Sequence, residues 1–502
     1  MVDAAPAFWD SPSIEEWWRL VFVLAGIGAL IGAGEGIRIL LRWPPEFTRK
    51  LVHVSVGVLV FFAPQIFTVP LPAVVLAVVF IIVNLLAIRF GLLKGMHGTG
   101  RPTFGTVYYP LAFLILVLIF WYRQPLIISL SILVLALGDA GAAIVGELKR
   151  APATFSLSGD RKSLEGSMTM FLVSFAVLFL GLTQLDPGFG GHYDYILAAA
   201  GIAAATATAW EALSSRGLDN LSIPLSVAFV LWYFLIPDSR TDVQQFTMGS
   251  AFAIAVAVVS YQFKFLSASG AVATYLLATV VFGIGGWKWT IPILVFFVLS
   301  SILSRIGRNR KAEAEEFFEK SGPRDWAQVF ANGGAAGIFV VCSFVEPDVP
   351  WYPLYLGSLA AVTADTWGTE IGLLSGRKPL LITSFKPVAA GSSGGVTLPG
   401  SAGGLGGSLL IGVSALPWLP DARILPWIVL AGLAGSLFDS FLGATVQGIY
   451  RCPVCGKSTE RKRHCNNQPT VRRMGIEGIN NDAVNWGCAL MGAGVIAVSG
   501  FG

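Results

Sequence analysis

Charge is what this chain has least of. Only 13% of its 502 residues are Asp, Glu, Lys or Arg, whereas 54% are hydrophobic and the mean hydropathy is +0.69. No water-soluble globular protein of this length needs so apolar a composition, so the chain reads as an integral membrane protein. Cysteine is scarce as well, with five in all. Cys452, Cys455 and Cys465 share one basic loop while Cys342 and Cys488 sit in apolar runs, a distribution that excludes a disulfide framework. Met1 to Trp18 lack a basic n-region, which argues against a cleavable signal peptide. The apolar runs also lack the period-two alternation of membrane strands, which speaks against a β-barrel.

What is present instead is a series of continuous apolar runs, each of roughly 17 to 25 residues and so long enough to cross a bilayer as a helix. Fourteen to sixteen are expected, from Leu20–Leu41 to Ala483–Phe501. The fold class that follows is all-α: a polytopic protein of two helical bundles, with 57 glycines and 27 prolines that suit close helix contacts and broken helices. Pro237 to Phe246 is the best linker, giving domains 1–240 and 247–502, the second with a cysteine-containing loop at 451–473. Cations gather at Arg49-Lys50, Lys149 to Lys162, Arg305 to Arg324, Arg377 to Lys386 and Arg451 to Arg473. By the positive-inside rule these loops face the cytoplasm, with a bacterial cytoplasmic membrane as the expected location. Nothing calls for a nucleic-acid partner.

The polar residues inside the apolar runs carry the chemistry. Asp139 lies in Gly138-Asp139-Ala140-Gly141-Ala142, and an ionised acid in a spanning helix costs several kcal/mol unless it is paired or hydrated. A basic loop follows, then Lys162-Ser163-Leu164-Glu165-Gly166. Small residues beside an acid, a lysine and free glycine amides suit a metal-bound nucleotide at a membrane surface. Glu211, Asp219 and Asn220 are hard oxygen donors suited to Mg²⁺, or simple helix caps. Arg49 and His53 share one helix face at the membrane boundary, as anchors or as headgroup contacts. The segment from His97 to Tyr109 is expected to form a structured lid.

In the second half Asp365 and Glu370 again lie in a small-residue helix, and Asp439 is a third in-membrane acid. Arg324, Gln328 and Asn332 recur at helical spacing; the amides form a polar ladder that either glues helices or faces a site. After Lys386 come eight glycines from Gly391 through Gly407, Gly394 and Gly395 among them. These predict a flexible loop whose amides wrap phosphates, or else a helix-packing segment. The stretch lacks the Gly-Lys-Ser/Thr that closes a P-loop. Asn481 or Asp482 is the expected cap of the last helix. The order acid, lysine with glycine loop, acid occurs in both halves, at Asp139, Lys162, Glu211 and at Asp365, Lys386, Asp439, as two related sites or as coincidence. Finally Cys452, Cys455, His464 and Cys465 have ligands for a structural Zn²⁺, although the adjacent pair strains a tetrahedron; the other reading is free thiols in a basic loop.

These motifs bring two families to mind. Residues from about 49 to 236 resemble the phytol kinase and dolichol kinase family, through RKLVHVSVG, RPTFGTVYYP, LGDAGAAIVG, KSLEGSMTMF and WEALSSRGLDNLSIP in order. That resemblance implies phosphate transfer from a nucleotide triphosphate, CTP, to an isoprenoid alcohol within the lipid bilayer. Asp139, Lys162, Ser163, Glu165, Gly166, Glu211, Asp219 and Asn220 would then form the nucleotide and Mg²⁺ site. Residues from about 250 to 502 resemble the family of plant phytyl-phosphate kinase and the transmembrane-protein-19 proteins, through RDWAQVFANGG, ADTWGTEIG, DSFLGATVQ and NNDAVN. This implies conversion of an isoprenyl monophosphate to the diphosphate, with Arg324, Gln328, Asn332, Asp365, Glu370, Lys386, Gly394, Gly395, Asp439, Asn481 and Asp482 as carriers. Asp139, Lys162, Asp365 and Lys386 are the expected catalytic residues. The cysteine insert departs from the plant pattern, so its zinc is not inherited. Together the halves make a bifunctional salvage kinase; the rivals are a secondary transporter of a lipid or phosphorylated metabolite and a phosphatidate cytidylyltransferase-like enzyme.

Overall fold

Two helices with largely buried middles become the centres of two units, Met1–Val243 and Gln244–Gly502. The computed structural model describes residues 11–43, 45–90, 103–149, 151–185, 192–236, 241–307, 317–320, 322–419 and 421–501. The chain is all-α with only two- and three-stranded scraps of sheet. Among the described residues nine helices are long and apolar enough to cross a membrane by length and composition. The other apolar runs form helices that are shorter, such as Gly105–Phe120 and Asp219–Leu235, or richer in polar residues, such as Trp351–Leu374.

In the first unit the central helix is Pro125–Leu148, which carries Asp139. Ile127, Ile128, Leu130 and Ile132 are fully buried, as a helix without a polar stripe must be when neighbours surround it. Helices Pro45–Phe61, Gly105–Phe120, Leu164–Leu185 and Asp219–Leu235 pack around it. Its regular winding fails once, in a π turn over Leu135–Asp139, so that Asp139 closes a widened turn of a type frequent at functional sites. An antiparallel hairpin, Thr154–Phe155 with Lys162–Ser163, then leads into Leu164–Leu185.

The second unit repeats the arrangement around Trp351–Leu374, where Leu356, Leu359, Ala360 and Ala361 are fully buried and Asp365 lies toward the C-terminal end. Lipid tails offer helices no hydrophobic drive to associate, so small residues must let backbones approach. Here they do: a Cβ on Gly404 would lie 2.8 Å from the Ala364 carbonyl oxygen, and one on Gly492 would collide with that of Gly357. The apolar runs Gly270–Ile284 and Ile291–Leu303 join in one element, Ala268–Arg305, broken at Gly286, whose φ of 59° and ψ of −159° are non-helical. Gln245 donates its side-chain amide to the Gly283 carbonyl at 3.1 Å beside that break.

Three expectations need correction. The glycine run is mostly helix: Thr397 caps Leu398–Ala415, and of the five glycines inside it Gly400, Gly403, Gly404 and Gly407 are packing positions while Gly406 faces open space. Only Gly391, Gly394 and Gly395 remain in the preceding loop. The segment before Pro110 is helical from Gly105, so Tyr109 projects from a helix; the proposed lid from His97 lies outside the described residues up to 102. The last helix, Asn481–Val498, is capped by Asn480, whose side chain accepts from Ala483 N. Much of the basic stretch from Arg305 to Arg324, residues 308–316, lies outside the described residues.

Candidate functional site

The first unit holds a cavity of about 700 Å³. One end is apolar, lined by Ile27, Val56, Val60, Leu76 and Phe80; the other is charged, lined by Arg49, Lys50, Asp139, Arg216, Asp219 and Asn220. Asp139 is ion-paired with Lys50 from the neighbouring helix. Three further cavity-lining residues, His53, Thr106 and Tyr109, each present a buried polar atom with no hydrogen-bond partner: His53 Nε2, Thr106 Oγ1 and the Tyr109 hydroxyl. The His53 and Tyr109 rings meet edge to face at 5.0 Å. Leaving a buried donor or acceptor unmade costs about 1–3 kcal/mol, so three beside one cavity mark a place where a polar group belongs.

Lys162 stands beside this cavity, not on its wall. Its ammonium lies 2.8 Å from Glu211 Oε1 and 3.4 Å from Asp219 Oδ2. Burial works against the charge, but Asp219 and Glu211 outweigh it and hold the lysine above its ordinary range. Ser167 donates to the other oxygen of Glu211 at 3.1 Å. Ser163 accepts from Gly166 N at 3.1 Å, and Glu165 takes Lys149 at 2.5 Å and Ala153 N at 3.1 Å. These last three residues therefore fix the hairpin to its helix. Of the expected first-half set, Asp139, Asp219 and Asn220 reach the cavity, while Lys162 and Glu211 brace Asp219 from behind. Thr103 and Phe104 bond the Arg216 carbonyl at 3.1 and 3.3 Å. There Gly217, at φ 86°, lies so near Gly105 that a Cβ would sit 2.6 Å from its Cα, a position only glycine fills.

The second unit encloses a wider and more polar cavity of about 1110 Å³. Arg324, Gln328, Asn332, Asp365, Glu370, Gly394, Gly395, Asp439, Asn481 and Asp482 all line it. Lys386 does not: it is exposed in the loop between the two strands Leu380–Leu381 and Gly395–Val396. Among the lysines that line it, the half-buried Lys320 stands 2.9 Å from Asp325 and 2.5 Å from Asp482. Burial opposes its charge, and Asp482 and Asp325 more than restore it. Burial pulls Arg324 down to about 10, with Glu370 opposing. Asp365 and Asp439 share a side-chain hydrogen bond, and Asp439 Oδ2 is buried without a partner. Two carboxyl groups so close need a proton or a cation between them.

A local likeness between the units settles their register. Ser163 accepts from Gly166 N at 3.1 Å, and Thr397 from Gly400 N at 3.1 Å. A Cβ on Gly166 would lie 2.8 Å from the Ala142 carbonyl oxygen, and one on Gly400 2.5 Å from that of Gly368. Ala142 and Gly368 each follow their acid, Asp139 or Asp365, by three positions. Ser163 thus matches Thr397, and Lys162 matches Val396, not Lys386. In each unit an acid in the first turn of a later helix, Asp219 or Asp482, takes a partly buried lysine, where the helix dipole favours negative charge.

Sequence reasoning missed Lys50, Lys320, Thr106, Tyr109 and Glu460. Lys50 and His53 are three apart on one helix, which was a usable signal; Lys320 sits in a charged stretch where no residue stands out. Glu460 accepts from Ser393 at 2.7 Å, Gln447 at 2.8 Å and Glu319 N at 3.2 Å on the second cavity's wall, and burial raises its pKa. Among the described residues the one group of three or more His, Cys, Asp or Glu side chains whose ligand atoms converge is Cys452, Cys455, His464 and Cys465.

A family profile described as integral membrane protein DUF92 matches residues 251–493. The chain is 33% identical over 258 residues to Protein PGR of Arabidopsis thaliana, covering 46% of this chain and 88% of that protein. It is 33% identical over 220 residues to a phytol kinase of Synechocystis sp., covering 43% and 91%, and 29% identical over 195 residues to the chloroplastic Protein VTE6 of Arabidopsis thaliana, covering 36% and 56%. No solved structure matches it.

Proposed function

The chain belongs to the phytol kinase family, and from that premise we propose that it phosphorylates isoprenoid lipids in two steps, one per unit. The first unit transfers the γ-phosphoryl group of a nucleoside triphosphate, CTP by family resemblance, to a phytol-like alcohol. The second adds another phosphoryl group to the resulting monophosphate. The observation that carries this reading is the first cavity: a greasy pocket ending in three unpartnered buried polar atoms beside an acid and several cations. A long hydrocarbon bearing one hydroxyl satisfies both ends.

In this reading the tail lies along Ile27, Val56, Leu76 and Phe80, and the hydroxyl meets His53, Thr106 and Tyr109. The alcohol oxygen bonds to the γ-phosphorus, the bridging bond to the β-phosphate breaks, and the nucleoside diphosphate leaves. The hydroxyl proton passes to His53 Nε2, the unpartnered basic atom at that end. Arg49, Lys50 and Arg216 face the phosphates, and Asp139 holds Lys50 in place. Such a reaction needs positioning and charge neutralisation above all.

The two units differ in how they fit Mg²⁺. In the first, Asp139 is matched by Lys50, and Glu211 and Asp219 by Lys162, so no orphaned carboxylate oxygen marks a metal position and no step is drawn through one. In the second, the unpartnered Asp439 oxygen next to Asp365 fits a hard divalent cation, with Asp365 and Asp439 as its holders; Glu370 does not converge with that pair and faces Arg324 instead. Such an ion would neutralise charge on the phosphates. Arg324, Gln328 and Asn332 would orient the lipid phosphate. The positive-inside rule, applied to the basic loops, supports a cytoplasmic side for this chemistry.

The test is purified protein given phytol, farnesol or geranylgeraniol with CTP or ATP labelled at the γ-phosphate, followed by separation of lipid products. Label in mono- and diphosphate lipids is expected. Label transferred only from the α-phosphate would make the enzyme a cytidylyltransferase, and lipid flux in liposomes without nucleotide consumption would make it a transporter; either outcome overturns the proposal.

A further inference from the structure

The cysteine loop lies outside both phosphoryl-transfer readings, yet it touches the second cavity. Cys452 and Cys455 sit on the turn between strands Ile449–Arg451 and Ser458–Thr459, and His464 and Cys465 at the tip of the hairpin Arg463–His464 with Gln468–Pro469. All four ligand atoms lie within 4.8 Å of one another. His464 Nδ1 is 3.5 Å from Cys455 Sγ and 3.2 Å from Cys465 Sγ. With Zn–S of about 2.3 Å and Zn–N of about 2.0–2.1 Å, a tetrahedral site needs edges of about 3.5–3.8 Å. The four atoms therefore surround a space of the right size. Adjacent ligands are reconciled by the backbone: Cys465, Asn466 and Asn467 are all left-handed, at φ 36°, 57° and 65°, which reverses the chain directly after His464. Non-glycine residues in that region cost free energy and persist where something over-determines them.

Between the two ligand pairs runs Thr459-Glu460-Arg461, and each of these residues holds part of the second site. Glu460 N and Thr459 Oγ1 both donate to the Phe317 carbonyl at 3.0 Å, and Arg461 donates to that of Phe318 at 2.8 Å. The Glu460 carboxylate accepts from Glu319 N and, on its other oxygen, from Ser393 and Gln447. Ser393 belongs to the Gly391–Gly395 loop, and Lys320 follows directly on the clamped segment.

We propose that Cys452, Cys455, His464 and Cys465 bind one structural zinc ion and that this ion, through Glu460, fixes the glycine loop and the Phe317–Lys320 segment on the wall of the second cavity. Three thiolates and an imidazole select a borderline-soft tetrahedral cation over Mg²⁺. The strands involved are two to four residues long, too short to hold their shape by pairing alone, so the ion supplies the fastening.

The experiment uses the full chain in detergent, grown with zinc, and reads metal content and amide hydrogen exchange, neither of which depends on what the cavity phosphorylates. About one zinc per chain is expected, lost in Cys465→Ser, with cobalt substitution giving the visible bands of a tetrahedral thiolate site. Removing the metal should speed exchange in peptides covering 317–320 and 391–395 by about tenfold or more while leaving the first unit unchanged. Glu460→Gln should keep the zinc and loosen 391–395 alone. Zinc well below one per chain together with no tetrahedral cobalt spectrum would overturn the site. Bound zinc whose removal leaves both segments' exchange unaltered would overturn the coupling.

Discussion

Lys162→Met removes the cation from between Glu211 and Asp219, and its cost can be worked from the geometry. The lysine side chain is 17% exposed and the two acids 6% and 15%, at 2.8 and 3.4 Å. At an effective dielectric constant of about 20, unit charges at those separations attract by about 6 and about 5 kcal/mol. Most of that gain is offset by desolvating three charged groups, but deleting one partner leaves the others buried and unmatched, which costs about 3–5 kcal/mol. Thermal unfolding in detergent micelles, followed by intrinsic fluorescence, should therefore show a midpoint lowered by about 10 °C. Adding Asp219→Asn to Lys162→Met removes one of the stranded charges and should recover about half of the loss, a coupling that a double-mutant cycle isolates. Because Lys162 is held above its ordinary 10.5, its contribution is fully present below that value and is lost only as pH rises through the higher folded value. The deficit of Lys162→Met should accordingly stay flat from about pH 6 to 9. An unchanged midpoint, or a double variant no more stable than the single one, would refute the reasoning.

Three further outcomes are expected. Lys320→Ala should lower conversion of the monophosphate to the diphosphate by about 10²-fold or more while Lys386→Ala stays within about twofold of wild type, a contrast read from lipid product rates; the reverse ordering would show the register between the units to be wrong. Tyr109→Phe should raise KM for the alcohol about three- to tenfold, the worth of one neutral hydrogen bond, and leave KM for the nucleotide alone, whereas His53→Phe, which removes the proton acceptor, should lower kcat for alcohol phosphorylation by about 10²-fold or more. Asp439→Asn should abolish the magnesium dependence of the second reaction along with its rate while alcohol phosphorylation continues; loss of both activities would mean that the two units share one site.

The bundle architecture and the positions of the acids were legible because membrane helices advertise themselves: a long apolar run interrupted by a carboxylate is expensive, and Asp139, Asp365 and Asp439 each stand in one. The second half's polar set was legible for the same reason, and Arg324, Gln328, Asn332 and Glu370 meet at one cavity. Illegible were the partners. Nothing in spacing says that Lys50, 89 positions from Asp139, is its counter-ion, because that pairing is made by two helices crossing. Lys386 misled for a physical reason. It precedes a glycine run, but only the first three of those glycines shape a loop, and Gly400, Gly403, Gly404 and Gly407 let Leu398–Ala415 lie against the Asp365 helix. A count of residues cannot separate a glycine that frees an amide from one that admits a carbonyl.

The electrostatic contrast between the units follows from that corrected register and bears on why the chain would need two of them. Where the first unit has Lys162 at the base of its hairpin, the second has Val396, and it draws its lysine from Lys320 on a different segment. In the first unit the cavity-lining Asp139 and Asp219 each have a lysine, so that end is close to balanced before anything binds, which suits a neutral alcohol entering from lipid. In the second, Asp365 and Asp439 share one hydrogen bond and leave an oxygen over, so the site is incomplete until a cation arrives, while Arg324 on the cavity wall stands ready for an anion. A lipid monophosphate bound as substrate beside a nucleoside triphosphate adds charge that needs further matching, since burying an unmatched charge is far costlier than burying a hydroxyl. An acid pair that recruits a metal, set beside a guanidinium, supplies that matching, and the wider cavity of about 1110 Å³ against about 700 Å³ gives room for a phosphorylated headgroup and a nucleotide together. Two successive phosphorylations of one lipid therefore call for two differently charged pockets, not one pocket used twice.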